Sequence, residues 1–355
     1  MTDINRQKTP HMQKAVDIIT GRNQLKAGER LTNIELKRNL QSFDYLARQG
    51  KVVETEDVLG EAKSRYFAMT AEERAASIVI TPLNKDRVSL NDHIRTEMWA
   101  RRELKGRDAA LDILVSKGWT RAMIKEAQYY TPGDVVRFNR DYQQIDASKG
   151  DYARVTGVDH ELGVVTVEKR DGTRLDWEPA KHNKVEVYDR EQRQLAVGDL
   201  IRLTRNDDMF KNGETARVTG LQGGLAVLEV SDKAATTHHH VNLNTSQHWD
   251  HAYTSTIHAA QGASKAQVIF AINMPDVDPE KPNQAERMLE GFAKVFGDRS
   301  YYVGVTRASH DIGIVTNDVA QTRRAIMQHQ DKTTSIGAHP EDKQTVEVQR
   351  KELEM

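Results

Sequence analysis

A stretch near the middle of this chain recurs, and the recurrence limits what the region can fold into. Gly133-Asp134-Val135-Val136-Arg137-Phe138-Asn139-Arg140 aligns with Gly198-Asp199-Leu200-Ile201-Arg202-Leu203-Thr204-Arg205. Downstream, Ala153-Arg154-Val155-Thr156-Gly157-Val158 aligns with Ala216-Arg217-Val218-Thr219-Gly220-Leu221. Each copy then offers another alternating apolar run, Val164–Glu168 and Leu225–Val230. Alternation of period two makes strands with one buried face, and Asp171-Gly172 is a hairpin-turn pair. Two small barrel-like units of about 60 residues explain the pattern. A single sandwich that reuses one strand pattern is the alternative.

The flanks read differently. Residues 1–130 are mainly helical in pattern. Thr9-Pro10 is an N-cap followed by a first-turn proline, and the helix runs to Gly21. Asn33–Arg48 is a second amphipathic stretch, followed by a short β segment at 51–54. Thr70-Ala71-Glu72-Glu73 is a capping box. Ser77-Ile78-Val79-Ile80-Thr81 is β-branched, apolar and closed by Pro82, as a buried parallel strand would be. Helices are expected from Ser89 through Trp99 and over Arg121–Gln128. After Tyr253 the α/β rhythm resumes. A strand near Val268, a helix over Asn283–Phe296, strands at Tyr301–Val305 and Ile312–Thr316, and a helix over Arg323–Gln330 are expected. Residues 1–130 and 251–330 then form one α/β domain interrupted by an all-β insertion at 131–250, split at about 131–190 and 196–250. Residues 331–355 read as a polar, disordered tail.

Composition removes several classes. Net charge is −1, so any nucleic-acid surface must come from local clustering of Lys and Arg. There is no cysteine, which excludes disulfides and thiolate metal sites. No apolar run is long enough for a membrane span, and Met1–Gln7 lacks an apolar signal core. A bacterial-type cytoplasmic protein is the default. His238-His239-His240 does not read as a metal site, because neighbouring side chains in a strand face opposite ways.

Two segments carry chemistry. Tyr253-Thr254-Ser255-Thr256-Ile257-His258-Ala259-Ala260-Gln261-Gly262-Ala263-Ser264 is a polar loop of hydroxyl, imidazole and amide groups that closes on glycine, ahead of the β run Ala266–Phe270. Neutral donors and a glycine suit close approach to a sugar-phosphate backbone. Tyr302-Val303-Gly304-Val305-Thr306-Arg307-Ala308 places an arginine at the mouth of an apolar segment. No G-x-x-x-x-G-K-[ST] phosphate loop occurs anywhere.

Taken in order, Arg6-Gln7, Val79–Arg87 with Leu90-Asn91 and Ile94-Arg95, the doubled Gly-Asp units, Thr256–Gly262 and Val303–Ala308 resemble the second RecA-like half of a RecD-like superfamily 1 helicase. The pattern is most similar to the MobF conjugative relaxase-helicases of the TraI/TrwC type and covers roughly residues 1–330. The implied fold is a RecA-like parallel-sheet domain interrupted by two SH3-like small barrels. The implied activity is ATP-driven 5′→3′ unwinding of DNA. Arg307 falls on the family's arginine finger and Arg6 on a second phosphate-sensing arginine, the two catalytic candidates. Gln7, Gln261, Gly262 and Arg307 fall on nucleotide-facing positions. Thr81, Asn84, Arg87, Thr256 and His258, with Arg137, Arg205 and Asn206 of the insert, fall on the path of single-stranded DNA. Ala259 departs from the pattern, since many members of the superfamily carry lysine there.

The phosphate loop and the Mg²⁺ ligand of such a motor belong to its first RecA-like domain. ATP and Mg²⁺ are therefore expected only together with that domain, and no ATPase activity is expected from this chain alone. A fragment, a truncated product or a split gene is the expectation. Implied partners are single-stranded DNA, upstream RecA-like and relaxase domains, and a type IV secretion coupling protein. Two other readings stay open: a non-hydrolysing module that holds single-stranded DNA or signals for secretion, and a piece of a RecD-like repair helicase.

Overall fold

A computed structural model describes residues 6–21, 31–231, 235–245, 247–260, 264–277 and 280–329. They divide into two compact units, one built before residue 105 and after residue 250, the other from 105–250. The first unit opens with α1 (Pro10–Thr20), α2 (Leu31–Arg48), β1 (Val52–Glu54), α3 (Val58–Ala68), α4 (Ala71–Ala75), β2 (Ser77–Thr81) and α5 (Asn84–Ala100). The second unit runs β3 (Lys105–Ser116), α6 (Arg121–Ile124), β4 (Val135–Phe138), β5 (Tyr152–Asp159), β6 (Val164–Lys169), β7 (Arg174–Trp177) and β8 (Val185–Val197). It continues with β9 (Leu200–Leu203), β10 (Thr215–Gln222), β11 (Leu225–Ser231), β12 (Thr236–Asn242) and β13 (Trp249–His251). The chain then completes the first unit with β14 (Thr254–Thr256), β15 (Lys265–Ile272), α7 (Pro282–Val295), α8 (Asp298–Arg307), β16 (Ala308–Thr316) and α9 (Val319–Ile326).

The first unit is built on a parallel sheet in the order β1-β16-β15-β2-β14. The stretches Ile78–Ile80 of β2, Val268–Ile272 of β15 and Ile312–Val315 of β16 are apolar, as strands covered on both faces are. One face carries Ile80, Val268, Phe270, Ile272, Ile312 and Ile314, packed with Met12, Phe43, Leu46, Tyr301 and Val305 from the helices. Local chemistry sets the ends. Thr70 and Glu73 close the capping box of α4, with Glu73 N–H donating to Thr70 Oγ1 at 3.2 Å and Thr70 N–H to Glu73 at 2.8 Å. Gly21 ends α1 in the left-handed region at φ 59°.

The second unit holds two antiparallel sheets, β3-β8-β4-β5-β6-β7 and β12-β11-β10-β9-β13. The sequence repeat reappears atom for atom. Gly133 and Gly198 sit at φ 103° and 102°. Gly133 N–H donates to Val155 O and Val155 N–H to Asp134 O; Gly198 and Val218 do the same with Val218 O and Asp199 O. The register slips at Val155/Gly157 in one copy and at Val218/Gly220 in the other, so both copies carry an irregularity at the same place. Asp134 is 4 % exposed and Asp199 0 %, and each accepts a backbone N–H three residues upstream.

Four expectations need correction. Tyr301–Val305 is not a strand but lies in α8, where Tyr301, Gly304 and Val305 share one buried stripe of helical period. Gly304 lets that helix approach β15; a methyl group there would overlap the Phe270 ring. Helix α5 begins at Asn84, not at Ser89. Arg121–Gln128 is only one helical turn followed by a 3₁₀ turn at Ala127–Tyr129. The β segment starts at Lys105, well before 131, with β3 pairing along β8 over Ala109–Ser116. Among the described residues no helix is long and apolar enough to cross a membrane.

Candidate functional site

Arg307 is the last residue of α8, and β16 begins at the next residue, so the fold places it at the N-terminal edge of the parallel sheet. It is 8 % exposed. Its Nε donates to Val303 O at 3.2 Å and its Nη2 to Thr306 Oγ1 at 3.4 Å, so the helix end itself holds the guanidinium. Arg6 lies close by, exposed, with its Nε donating to Ser264 Oγ. Burial first, and the Arg6 charge second, pull Arg307 below the usual guanidinium range, while the Tyr302 phenol acts in the other direction. Arginine stays protonated regardless, so two cations are held together in a partly dry place. An anion at this spot would relieve that strain.

The segment leading into α1 lies along the start of β16. Gln7 Nε2 donates to Ala308 O at 3.3 Å, Lys8 N–H to Ser309 O at 2.6 Å, and Thr9 Oγ1 to His310 O at 2.6 Å. Thr9 therefore spends its hydroxyl on β16 and makes no side-chain cap on α1. Gln7 is 2 % exposed, with its amide donating to β16.

The opposite edge of the sheet gathers the other candidates. Thr81 ends β2 and faces Thr256, the last residue of β14. Thr256 Oγ1 accepts Ala259 N–H at 3.3 Å and Thr256 O accepts Ala260 N–H at 2.9 Å, which folds 256–260 into a turn with His258 exposed. Asn84 opens α5 half-buried, its Oδ1 accepting from Arg87 Nε at 2.8 Å. Thr81 is 0 % and Arg87 4 % exposed, so neither side chain stands on a surface. Asp86 is also buried, and burial raises its carboxyl above the usual range.

The two edges are joined by the connection 257–264. It leaves beside Thr81, where Ile257 N–H donates to Thr81 O, and returns at the start of β2, where Ala266 N–H donates to Ala76 O. That travel is about 13 Å along β2 at the rise of a strand. Ile257 and Ala260 are 2 % exposed and anchor it in the core. Gln261 and Gly262 lie outside the described residues. The first-unit candidates thus form two groups, Arg6, Gln7 and Arg307 at one edge, Thr81, Asn84, Arg87, Thr256 and His258 at the other.

In the second unit, Arg137 donates to Asn139 Oδ1 and lies 5.7 Å from the Tyr152 ring centroid. Arg205 is partly buried. Its Nη1 donates to Glu186 Oε2 at 3.1 Å, Tyr188 Oη at 3.0 Å and Tyr152 Oη at 3.3 Å. Tyr152 Oη meets His248 Nε2 at 2.7 Å. Burial first, then the Arg205 charge, lowers His248 to about 4. Asn206 is exposed and accepts Asn212 N–H at 2.7 Å. His238 and His240 point to the exposed face of β12, whereas His239 packs on the Phe210 ring.

Sequence reading missed Ser264, Tyr302 and the Tyr152–Glu186–Tyr188–His248 network. Ser264 and Tyr302 stood inside the two chemical motifs, but nothing local marks Ser264 as a partner of Arg6. The network joins residues from both repeats, and its only advance signal was the Arg140/Arg205 equivalence. Among the described residues no group of three His, Asp or Glu side chains could hold a metal ion.

No family model matches the chain. The multifunctional conjugation protein TraI of Escherichia coli is 26 % identical over 262 residues, which is 71 % of this chain and 13 % of the relative. TraI of Escherichia coli strain K12 is 26 % identical over 263 residues, with the same shares. The chain thus spans about 13 % of the length of the curated relatives it matches. Among solved structures, Pif1 helicase from Bacteroides in complex with ADP-AlF3 and ssDNA is 16 % identical, covering 94 % of this chain and 54 % of that one at a TM-score of 0.30. Pif1 helicase from Candida albicans is 10 % identical, covering 78 % and 55 % at a TM-score of 0.23. The sequence match to TraI, together with the ordered motifs, supports a superfamily 1 helicase-like region of the MobF relaxase-helicase type.

Proposed function

We propose that this chain supplies the phosphate-sensing arginines and part of the single-strand contact of an ATP-driven DNA helicase that serves conjugative transfer. The observation that carries the reading is the placement of two arginines about the start of β16: Arg307 is buried at the end of α8, and Arg6, bonded to Ser264, leads the segment whose next residues bond to 308–310. A phosphoryl group in transfer spreads negative charge over its equatorial oxygens, and arginine meets it with a planar fork. Arg307 is the finger and Arg6 the second sensor. Gln261 and Gly262 face the nucleotide. At the other end of the connection Asn84, Thr256 and His258 meet the strand; buried Thr81 and Arg87 shape that edge from within. Arg137 and Asn206 line the strand on the second unit. ATP and Mg²⁺ bind when a P-loop-bearing RecA-like domain faces the arginine edge, and translocation runs 5′→3′. In the larger protein the partners are that domain, a relaxase domain and a secretion coupling protein.

Supplying the P-loop domain and measuring single-strand-stimulated ATP hydrolysis tests the reading. Arg307→Ala is expected to lower turnover on the order of 10³-fold, about 4 kcal/mol of transition-state stabilisation, with little change in strand affinity. Unchanged turnover removes the finger. Strand binding without any hydrolysis supports a holding module instead.

A further inference from the structure

We infer that Gln7 is a positioning residue for Arg307, and that the segment 6–9 is a strap that holds Arg6 and Arg307 as one pair. The inference rests on the proposed role of that pair, but its geometry stands by itself. Strand β16 is flanked on one side by β15 from its first residue, with Lys265 opposite Ala308. On its other side β1 reaches only Ile314–Thr316. The β15/β16 register slips between Ala308 and Asp311, and the segment 7–9 bonds to the carbonyls of 308–310 across that irregular stretch. Gln7, Lys8 and Thr9 donate in succession to Ala308, Ser309 and His310. Gln13 Nε2 donates back to Gln7 O at 3.1 Å, which ties the strap to α1. His11 and Lys51 then hold Asp311.

The first of these carbonyls belongs to the residue directly after Arg307. Fixing it fixes the point where helix α8 turns into β16, and so the direction in which the guanidinium leaves the chain. Gln7 is buried, so an amide that loses this bond finds no water to replace it. The strap's leading residue, Arg6, is bonded to Ser264 at the end of the 257–264 connection. A displacement of the strap thus moves both arginines together.

Side-chain NMR on the full chain tests this without nucleotide. The Arg307 Nε–H signal is assigned by its loss in Arg307→Lys. Its order parameter is expected near the rigid value of about 0.85 in the parent protein and below about 0.6 in Gln7→Met, which keeps the volume and removes the donor. Hydrogen exchange at Val268–Ile272 in β15 is expected to stay unchanged, which separates local loosening from unfolding. An Arg307 signal equally rigid in folded Gln7→Met overturns the inference, as does loosening in Gln7→Ala alone, since packing would then suffice. Should Gln7→Met not fold, Thr9→Val decides in the same way through the neighbouring bond. Titration with inorganic pyrophosphate reads the anion site separately. If Gln7→Met frees Arg307 but pyrophosphate shifts neither arginine, the strap stands and the phosphate reading falls.

Discussion

Arg140 and Arg205 hold the same position in the repeat, yet their surroundings make them different residues. Arg140 is exposed, while Arg205 donates to Glu186, Tyr188 and Tyr152 at once. Arg205→Ala is expected to lower stability by about 1–3 kcal/mol in urea unfolding, because it strands three acceptors. Arg140→Ala should change it by less than about 0.5 kcal/mol. His248, in the same network, gives a pH signature. Its folded value of about 4 lies below the ordinary 6.5. The unfolded chain therefore takes up this proton first as pH falls. The contribution is full above about pH 6.5, is lost between 6.5 and 4, and is flat below that. Urea midpoints across this range should fall more steeply for the parent protein than for His248→Gln. At this scale the sequence marked the arginines by type and order. It did not show which ones burial would spend on structure, since Glu186, Tyr188 and His248 come from distant segments.

Helix α8 and strand β15 meet through a missing side chain. Gly304→Ala is expected to cost about 1–3 kcal/mol by overpacking against Phe270, and a smaller residue at 270 should recover part of that loss. Thermal unfolding of the two single variants and the double variant measures the coupling. Gly133 and Gly198 offer a matched pair: alanine at either should cost about 1–2 kcal/mol, and nearly the same at both, because each holds a left-handed φ. Strands of the repeat, β1, β2 and the capping box were legible because alternation, β-branching and caps are local signals. Segment 301–305 was misread because tyrosine and valine favour strands, while the i, i+3, i+4 stripe of Tyr301, Gly304 and Val305 expresses helical packing on a sheet. β3 was missed because its charged, alanine-rich start has no alternating face, and its pairing with β8 is supplied by residues far along the chain.

The molecule is nested in sequence, with the second unit entered at Lys105 and left at Asp250. Residues 105–250 excised as one piece are expected to keep their amide protection, since both antiparallel sheets and their cores close within that range. Hydrogen exchange on the excised piece checks this, and loss of protection across β4–β7 and β9–β12 contradicts it. The parallel sheet of the first unit is the opposite case. Its strands β1 and β2 are not neighbours, because β16 and β15 stand between them, and β14 completes the far side of β2. A ribosome therefore releases two strands that have nothing to pair with. The whole of 105–250 follows, and β15 and β16, the strands that join the first two, come after it. The apolar faces of β1 and β2 stay without their partner strands until β15 and β16 follow.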